Sequence, residues 1–575
     1  MTKGGPASLT AALLVTACAG RSAAPRPSHG PAGPPAATAH LRALRAREDS
    51  AFARLAAAQA RLAGAPRTRA ERTGYAETSR YADVVAFVDT LARQAPNVLR
   101  MSSLGTTTEG RAIPLVVAAR PAVATSDEAR RLGRPVVYVQ ANIHAGEVEG
   151  KEAVQMLLRD LALDPGPNVL DSLVVLAVPI YNADGNERVR SQTVNRTEQN
   201  GPELVGQRPN AQGLDLNRDY IKAEAPETRA ALALFARWDP DVFVDLHTTN
   251  GSYHGYALTW SPSLHPAAPL HAFNQDTLLP RVRDRVEARW GVPTFSYGNF
   301  ALEYGADVNA DTTKQGWYTY DHRPRFGTNY YGLRGRLSVL GEAYSHDPFE
   351  RRVRATYAFV RELLSTIAAE GPAIRARVAR ITPDPAVALA ARLTTTPDRG
   401  RVIAEDLARV PDSARTEPGV PRGLRRTGNF RTVEMPVHDR FEATRTGRVP
   451  AGGWAFDAAA PGAAATAVLL QRHGVRVERL GAGRRIEAEV YRTDSVVAAV
   501  RPFQGHREVR LAGTWRRESR TLPVGAFLVP AGQPLDRLAL LLLDPESDDG
   551  LVTWNVWDAA LQPGGDFPVV RLVGR

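Results

Sequence analysis

Apolar and polar residues alternate with two different periods along the chain, and these periods predict its secondary structure. From Tyr75 onward, stretches with helical spacing alternate with short runs of β-branched residues. This alternation is typical of a sheet with helices on both faces. We therefore predict an α/β domain with a mixed, mostly parallel sheet over residues 71–370.

The first informative strand leads into a pair of residues that can bind a metal ion. The apolar run Pro135–Gln140 is followed by His144 and Glu147, and then by an amphipathic helix over Glu149–Leu161. Residues three apart in a turn face the same side. The two side chains are therefore predicted to reach one ion.

Two further predicted strands end in residues of the same kind. The apolar run Asp241–Leu246 delivers His247 at its end, and the run Arg336–Gly341 delivers Glu342. Ligands of open α/β sheets bind outside the carboxyl ends of the strands. We therefore expect these residues to meet the first pair in one crevice.

The residue types in this crevice favour zinc chemistry. Two imidazoles and one carboxylate suit tetrahedral Zn²⁺ with a fourth position open for water, whose pKa the metal lowers to about 7. Glu342 would then act as general base. The H-x-x-E pair alone is a weak signal, because surface helices carry such pairs for solubility.

The segment between the histidines strengthens the prediction. Gly213–Asp219 presents Asn217 and Arg218 together after a glycine turn. An Asn–Arg pair suits a planar, bidentate grip on a carboxylate.

Together these residues resemble the zinc carboxypeptidases of the carboxypeptidase A and B type, which have an H-x-x-E pair, a downstream Asn–Arg pair, a strand-end histidine and a later glutamate. The resemblance covers roughly Tyr75–Ala369 and includes Leu104–Ile113 and Asn182–Gly185. It implies one Zn²⁺ per chain and a peptide substrate with a free C-terminal carboxylate. The implied roles are zinc binding by His144, Glu147 and His247, base and acid catalysis by Glu342, and carboxylate binding by Asn217 and Arg218.

Two further roles of that family are harder to place, an arginine that stabilises the oxyanion and a mobile tyrosine. The arginine is expected upstream of Asn217, where we favour Arg196 over Arg208. The tyrosine is expected upstream of Glu342, where we choose Tyr320. Its alternatives are Tyr318, Tyr330 and Tyr331.

Three classes of function remain open on the sequence alone. The first is a peptidase that removes C-terminal residues from peptides, including cell-wall peptides. The second is a zinc amidase or deacylase that acts on N-acyl amino acids, because Asn217 and Arg218 fit the free carboxylate of either substrate. The third is a non-catalytic binding lipoprotein, which the presence of Glu342 argues against. No G-x-S-x-G motif occurs, so a serine esterase is disfavoured.

The single cysteine, Cys18, indicates the cell envelope. Lys3 supplies a positive start, the apolar stretch Leu9–Ala17 is too short to span a membrane, and small residues precede Cys18. This pattern resembles a bacterial lipoprotein signal, in which Cys18 is lipidated and anchors the chain to the membrane. An ordinary secretory signal is the alternative. Ala19 in place of aspartate indicates the outer membrane, with the protein facing the periplasm or the exterior.

Beyond the catalytic domain, the pattern predicts a strand-rich accessory domain with mixed α/β structure. A helix is predicted from Ala373 to about Thr394, and another over Thr466–His473. The predicted strands are Arg431–Met435, Val475–Arg479, Arg485–Arg492, Arg507–Ala512 and Val569–Val573. The complete predicted order is a lipoprotein signal (1–17), a tether with an arm helix (18–70), the catalytic domain (71–370) and the accessory domain (371–575).

Composition and charge narrow the class of protein. The chain has 575 residues, and its 43% hydrophobic content excludes a disordered or fibrous protein. The net charge of +11 comes from basic residues spread along the chain, without the dense basic stripe that a phosphate backbone requires. Nucleic acid is therefore not an expected partner.

Overall fold

A mixed sheet of eight strands forms the centre of the molecule. The computed structural model describes residues 34–62, 64–300, 316–381, 386–395, 399–411, 413, 420 and 423–574, so Cys18 and the predicted signal lie outside the described residues. The strands are β1 (Leu99–Thr106), β2 (Ala112–Ala118), β3 (Val136–Ala141), β4 (Val174–Val178), β5 (Val242–Thr248), β6 (Leu258–Pro262), β7 (Thr294–Ser296) and β8 (Leu337–Ala343). Their order is β1-β2-β4-β3-β5-β8-β6-β7.

Helices cover this sheet on both sides. The longer helices are α1 (Pro34–Gln59), α2 (Tyr81–Gln94), α3 (Glu149–Leu163), α4 (Pro226–Trp238), α5 (Leu279–Trp290), α6 (Gly327–Leu333), α7 (Phe349–Ala379), α8 (Ala463–Arg472) and α9 (Asp536–Leu543). Shorter helical segments are Arg69–Arg72, Ser126–Leu132, Val169–Asp171, Ala183–Glu187, Gln192–Asn195, Leu216–Arg218, His271–Phe273, Asn274–Leu278 and Asp558–Ala560. The predicted fold class, a mixed and mostly parallel sheet with helices, is confirmed. Among the described residues, no helix is long and apolar enough to cross a membrane.

The central strands bury alternate residues on opposite faces of the sheet. Tyr138 and Phe243 belong to the apolar cluster that contains α4 and α6 residues. Val137 and Val244 belong to the cluster that contains α3, α5 and α7 residues. Both faces are therefore covered, which explains why these strands read as nearly continuous apolar runs rather than as alternating ones.

Three adjacent parallel strands bring the predicted site together. β3 pairs with β5, and β5 pairs with β8, in both cases in parallel. In this register His247 lies directly beside Glu342. The predicted strands are confirmed, but β5 and β8 extend through His247 and Glu342, because the ladder continues to Thr248 and Ala343. Both side chains are thus held by strand backbone rather than by a loop.

The C-terminal strands form smaller sheets. They are β9 (Val387–Thr394), β10 (Arg399–Arg409), β11 (Leu424–His438), β12 (Arg440–Gly447), β13 (Trp454–Phe456), β14 (Glu478–Arg479), β15 (Arg484–Ala498), β16 (Val509–Leu522), β17 (Phe527–Val529) and β18 (Val570–Leu572). β13 to β18 make a six-stranded sheet in the order β14-β17-β13-β18-β15-β16, while β9 pairs with β12 and β10 pairs with β11. Each predicted C-terminal strand corresponds to an observed one, although β14 and β16 begin later than predicted.

One predicted element in this region is wrong. The helix expected from Ala373 to about Thr394 ends at Ala379, as part of α7, and β9 follows as a strand. β9 pairs antiparallel with β12 and buries Val387 and Leu389 in the cluster that contains α9. Tertiary pairing and burial therefore override the helical preference of its alanines.

The N- and C-terminal parts of the chain pack firmly on the catalytic domain. Helix α1, the predicted arm helix, buries Glu48, whose carboxylate accepts hydrogen bonds from Arg351 at 3.2 Å. One apolar cluster contains both Phe243 of the central sheet and Trp454 of the C-terminal sheet. The boundary at residue 370 stays a prediction, and α7 runs through it without interruption.

A buried ion pair joins the accessory domain to the segment before α6. Asp549 accepts hydrogen bonds from the backbone N–H of Arg325 at 2.6 Å and from its Nε at 2.8 Å. The Arg325 guanidinium also donates to Glu508 and stacks on Trp554, 4.4 Å from the ring centroid. Asp549 and Arg325 are nearly inaccessible to solvent, so neither charge has water as a substitute partner.

We predict that Asp549→Ala strongly destabilises the protein. Removal of Asp549 leaves the buried Arg325 guanidinium with Glu508 as its remaining ionic partner, and breaking a buried pair in this way costs up to about 3 to 5 kcal/mol. Denaturant unfolding measures the change in free energy. The matched control is Glu487→Ala on the exposed side of β15, which should change stability by less than about 0.5 kcal/mol. Equal stability of the two variants would contradict the prediction.

Candidate active site

A tight turn after β3 places the first two candidate ligands. Asn142 adopts a left-handed backbone conformation with φ of 64°, which asparagine tolerates better than most residues. Its side-chain amide donates to the carbonyls of Ala145 and Glu147 at 3.3 and 3.2 Å, and the Glu147 N–H donates to the His144 carbonyl at 3.0 Å. These bonds hold His144 and Glu147 on the same side of the turn.

The three predicted ligands converge on one point. His144 Nδ1 lies 3.1 Å from Glu147 Oε1, while His247 Nδ1 lies 3.2 Å from His144 Nδ1 and 3.0 Å from Glu147 Oε2. Tetrahedral nitrogen and oxygen ligands of zinc lie roughly 3.3 to 3.5 Å from one another, given metal–ligand distances of about 2.0 to 2.2 Å. The spacing and the donor set therefore fit a zinc ion with a further position open.

A buried carboxylate supports each histidine from behind. His144 Nε2 lies 3.0 Å from Asp215 Oδ1, and His247 Nε2 lies 3.0 Å from Asp245 Oδ2. Such contacts fix the ring orientation and keep a proton on Nε2, so that Nδ1 is available to a metal. Sequence reasoning missed both residues, although each lies two positions before a candidate that it did identify.

Arginines stabilise the acidic groups of the site. Burial alone raises the pKa of Glu147, but its contacts with His144 and with the Arg196 guanidinium outweigh burial and hold the pKa well below the usual range. Burial likewise opposes ionisation of Asp215, and the charges of Arg208 and Arg218 hold its pKa well below the usual range. Glu147 and Asp215 are therefore carboxylates, as a metal ligand and a histidine acceptor must be.

A cavity of about 40 Å³ lies at these strand ends. It contains the predicted zinc ligands, the predicted base and the predicted carboxylate-binding pair. Its walls are His144, Glu147, Arg208, Asn217, Arg218, His247, Thr248, Asn250, Tyr297, Tyr320, Phe326, Leu340 and Glu342.

The Asn217–Arg218 pair is held by local bonds on both sides. The Asp215 carboxylate accepts from the Asn217 N–H at 2.9 Å, and Asn217 Oδ1 accepts from the Gly327 N–H at 2.8 Å. The Arg218 guanidinium lies 3.9 Å above the Phe326 ring. The Asp215 N–H donates to Gln504 Oε1 of the accessory domain at 2.9 Å. The pair is thus preorganised by the start of α6 and by the C-terminal part of the chain.

The two candidate arginines occupy different places. Arg208 lines the cavity and donates from Nε to Asp215 at 2.9 Å, whereas Arg196 does not line it. Arg196 donates to Glu147 at 3.1 Å and to the carbonyls of Thr248 and Thr249 at 3.2 Å. Arg196 therefore stays a prediction for the oxyanion role, and Arg208, the alternative, is the one of the two that lines the cavity.

Of the four candidate tyrosines, Tyr320 alone lines the cavity. Tyr318 stacks on His438, Tyr330 hydrogen-bonds to His473 at 2.7 Å, and Tyr331 stacks on Phe235 in the core. The choice of Tyr320 is therefore compatible with the structure, and its catalytic role stays a prediction.

Parts of this chain are similar to known carboxypeptidases. Residues 84–284 match the family model described as zinc carboxypeptidase. Carboxypeptidase 2 of Trichophyton equinum is 22% identical over 459 residues, which cover 76% of each chain. Human carboxypeptidase D is 30% identical over 159 residues, which cover 26% of this chain and 10% of that protein. A crystal structure of a metallo-carboxypeptidase from Burkholderia cenocepacia aligns over 50% of this chain and 69% of that chain, with 19% identity and a TM-score of 0.37.

The matched region contains all three metal-binding side chains, which are buried and have their ligand atoms within 4.8 Å of one another. This chain therefore contains a zinc carboxypeptidase domain and is a zinc-dependent metallocarboxypeptidase.

Proposed function

We propose that this enzyme recognises the free C-terminal carboxylate of a peptide and hydrolyses the last peptide bond. The supporting observation is the 40 Å³ cavity, because the zinc ligands, Glu342 and the Asn217–Arg218 pair line the same small space. Asn217 and Arg218 can therefore bind the terminal carboxylate of a peptide while its last peptide bond lies beside the zinc ligands and Glu342.

Each side chain has a defined task in this reaction. Arg218 donates charge-assisted hydrogen bonds to the terminal carboxylate, together with the Asn217 amide. Glu342 accepts a proton from the attacking water and delivers it to the nitrogen of the leaving amino acid. Zinc, when bound by its three ligands, supplies a Lewis acid that polarises the scissile carbonyl and acidifies water.

Arg208 is the residue that we assign to the developing negative charge on the carbonyl oxygen. Its side chain is 29% exposed, against 9% for Arg196, so it is more accessible to a substrate. Tyr320 also lines this cavity, and we assign it to contact with the bound residue.

We predict that Glu342→Gln keeps zinc but loses turnover. The amide cannot accept the proton, and general acid–base catalysis contributes about 10² to 10⁴-fold. The measurement is kcat per bound zinc on a peptide with a free carboxylate, with Glu487→Gln on β15 as the control. If Glu342 were only structural, the variant would lose stability but keep its rate per folded molecule, and a loss below about tenfold would exclude it as the base.

We predict that Arg218→Ala lowers kcat/KM by roughly 10- to 150-fold, the equivalent of hydrogen bonds to a charged group. The same loss of kcat/KM is expected when the wild-type enzyme acts on a C-terminally amidated peptide. Amidation should therefore cause no further loss of kcat/KM in Arg218→Ala. Arg237→Ala, an exposed position in α4, is the matched control. Equal rates on amidated and free peptides would reject exopeptidase action. Faster release of amino acids from N-acyl amino acids than from peptides would favour the amidase or deacylase alternative.

We predict that Arg208→Ala lowers kcat by about 10²- to 10³-fold, as expected for loss of an oxyanion donor. Arg196→Ala should lower it less, because Arg196 contacts Glu147 and backbone carbonyls instead of the cavity. Steady-state kinetics normalised to zinc content compare the two variants. The reverse order of losses would return the oxyanion role to Arg196.

We also propose that Cys18 carries lipid and anchors the enzyme to the outer membrane of the bacterial envelope. The support is the positive start, the short apolar run and the small residues before Cys18. Mass spectrometry of membrane-derived protein should find a lipid-modified N-terminal Cys18, and Cys18→Ser should move the protein out of the membrane fraction. An unmodified Cys18, or a mature chain that begins at another residue, would reject the anchor.

A further inference from the structure

A second and much larger cavity adjoins the active site. Its volume is about 920 Å³, and it shares Arg208 and Asn250 with the 40 Å³ cavity. Cavities of this volume enclose ligands of several hundred daltons, which corresponds to a few amino-acid residues. The catalytic domain supplies one side of it, including Tyr253 in the segment after β5.

The opposite wall belongs to the accessory domain. It is formed by the β10–β11 strand pair, which contributes Leu407 from β10 and Val433 and Met435 from β11. Arg431, Val433 and Met435 are alternate residues of one strand, so they share one face of β11. The register sets Glu405 and the Ala404–Arg431 pair between Leu407 and Val433, so the wall presents two separate apolar patches.

Backbone hydrogen bonds join this wall to the catalytic domain. The Glu405 N–H donates to the Tyr253 carbonyl at 3.1 Å, and the Gly255 N–H donates to the Ile403 carbonyl at 2.9 Å. A Cβ at Gly255 would lie 2.6 Å from Ile403 Cγ2, so the approach requires glycine. β11 also pairs in parallel with Trp317–Tyr318, just before Tyr320. The wall is thus attached at two places. One is the segment after β5, which follows His247, and the other is Trp317–Tyr318, which precedes Tyr320.

The charged side chains of the cavity have partners within the protein. Glu405 accepts from Arg426 at 2.8 Å, and Arg431 donates to Asp406 at 2.8 Å. Glu198 accepts from the Gly251 N–H at 2.8 Å. Met435 is already buried, so the half-buried Leu407 and Val433 are the apolar side chains that have area to gain from a bound side chain, since apolar area is favourably removed from water.

We infer that this cavity binds the residues of the peptide substrate that precede the scissile bond, and that the β10–β11 pair selects apolar side chains there. The inference rests on the proposed function. With the terminal carboxylate at Arg218, the rest of the peptide leaves the small cavity past Arg208 and Asn250, which line both spaces. The accessory domain is then part of the specificity of the enzyme.

The test compares a long and a short substrate. The long substrate is a pentapeptide with leucine at its upstream positions, and the short one is an N-acyl dipeptide with the same last two residues. The wild-type enzyme should favour the long substrate in kcat/KM by about tenfold or more, as an apolar contact can supply. Val433→Trp, which narrows the cavity at one of its apolar patches, should lower this ratio towards one. Glu434→Trp, on the other face of β11, should leave the ratio unchanged.

A second variant changes the charge of the cavity wall rather than the volume of the cavity. Leu407→Arg should shift the preference of the enzyme from leucine to aspartate at the upstream positions, and this result decides the question if Val433→Trp does not fold. A wild-type ratio near one, or unchanged ratios and preferences in both variants, would overturn the inference.

Peptide binding to Glu342→Gln protein separates this inference from the proposed function. Failure of the wild-type enzyme to release a C-terminal residue would reject the function. Equal affinity for the pentapeptide with and without the added Val433→Trp substitution would reject the cavity as its binding site. Weaker binding on addition of Val433→Trp supports the cavity whichever bond the enzyme cleaves.

Discussion

The parallel register between β5 and β8 is the constraint on which the active site depends. It sets Glu342 beside His247, while the pairing of β3 with β5 brings the turn that carries His144 and Glu147 to the same edge. Side chains alternate between the faces of a sheet, so a slip of one residue would move His247 or Glu342 to the opposite face. The apolar residues on both faces of β5 oppose such a slip, because it would also move the side chains of β5 from one apolar cluster to the other.

This arrangement concentrates charge where water has little access. Glu147, Asp215 and Asp245 are buried within a few ångströms of the two histidines, and arginines lie behind and beside them. A buried charge is tolerated only when it is paired and hydrogen-bonded. A divalent cation adds positive charge at the point where the ligand atoms converge, so metal binding and the stability of this region are linked.

The sequence predicted the convergence of the site because short apolar runs end at His247 and Glu342, and because parallel strands of one sheet must end at a common edge. It could not identify Asp215 and Asp245, since a single acidic residue near a motif has no periodicity to distinguish it from a surface residue. It also could not choose between Arg196 and Arg208. That choice depends on how the segment between them folds around Glu147, which only long-range contacts determine.

The C-terminal half was harder to predict for a related reason. Alternation identified five of the ten strands from β9 to β18, but β9 has an alanine-rich sequence that suits a helix, and only its pairing with β12 makes it a strand. Nothing in the local pattern indicated that β11 pairs with Trp317–Tyr318 of the catalytic domain. The first pairing joins residues 46 to 60 positions apart and the second joins residues 120 positions apart, beyond the reach of any local pattern.

The hydrogen bond from the Asp215 N–H to Gln504 has a consequence for how this enzyme can be divided. Gln504 belongs to the accessory domain, and its acceptor atom completes the turn from which Asp215 supports His144 and from which Arg218 extends. The accessory domain is therefore not an interchangeable module. A chimaera that joins this catalytic domain to a foreign C-terminal domain would keep the zinc ligands but lose a support of the carboxylate-binding pair. A substitution on one side of this contact therefore requires a compatible residue on the other.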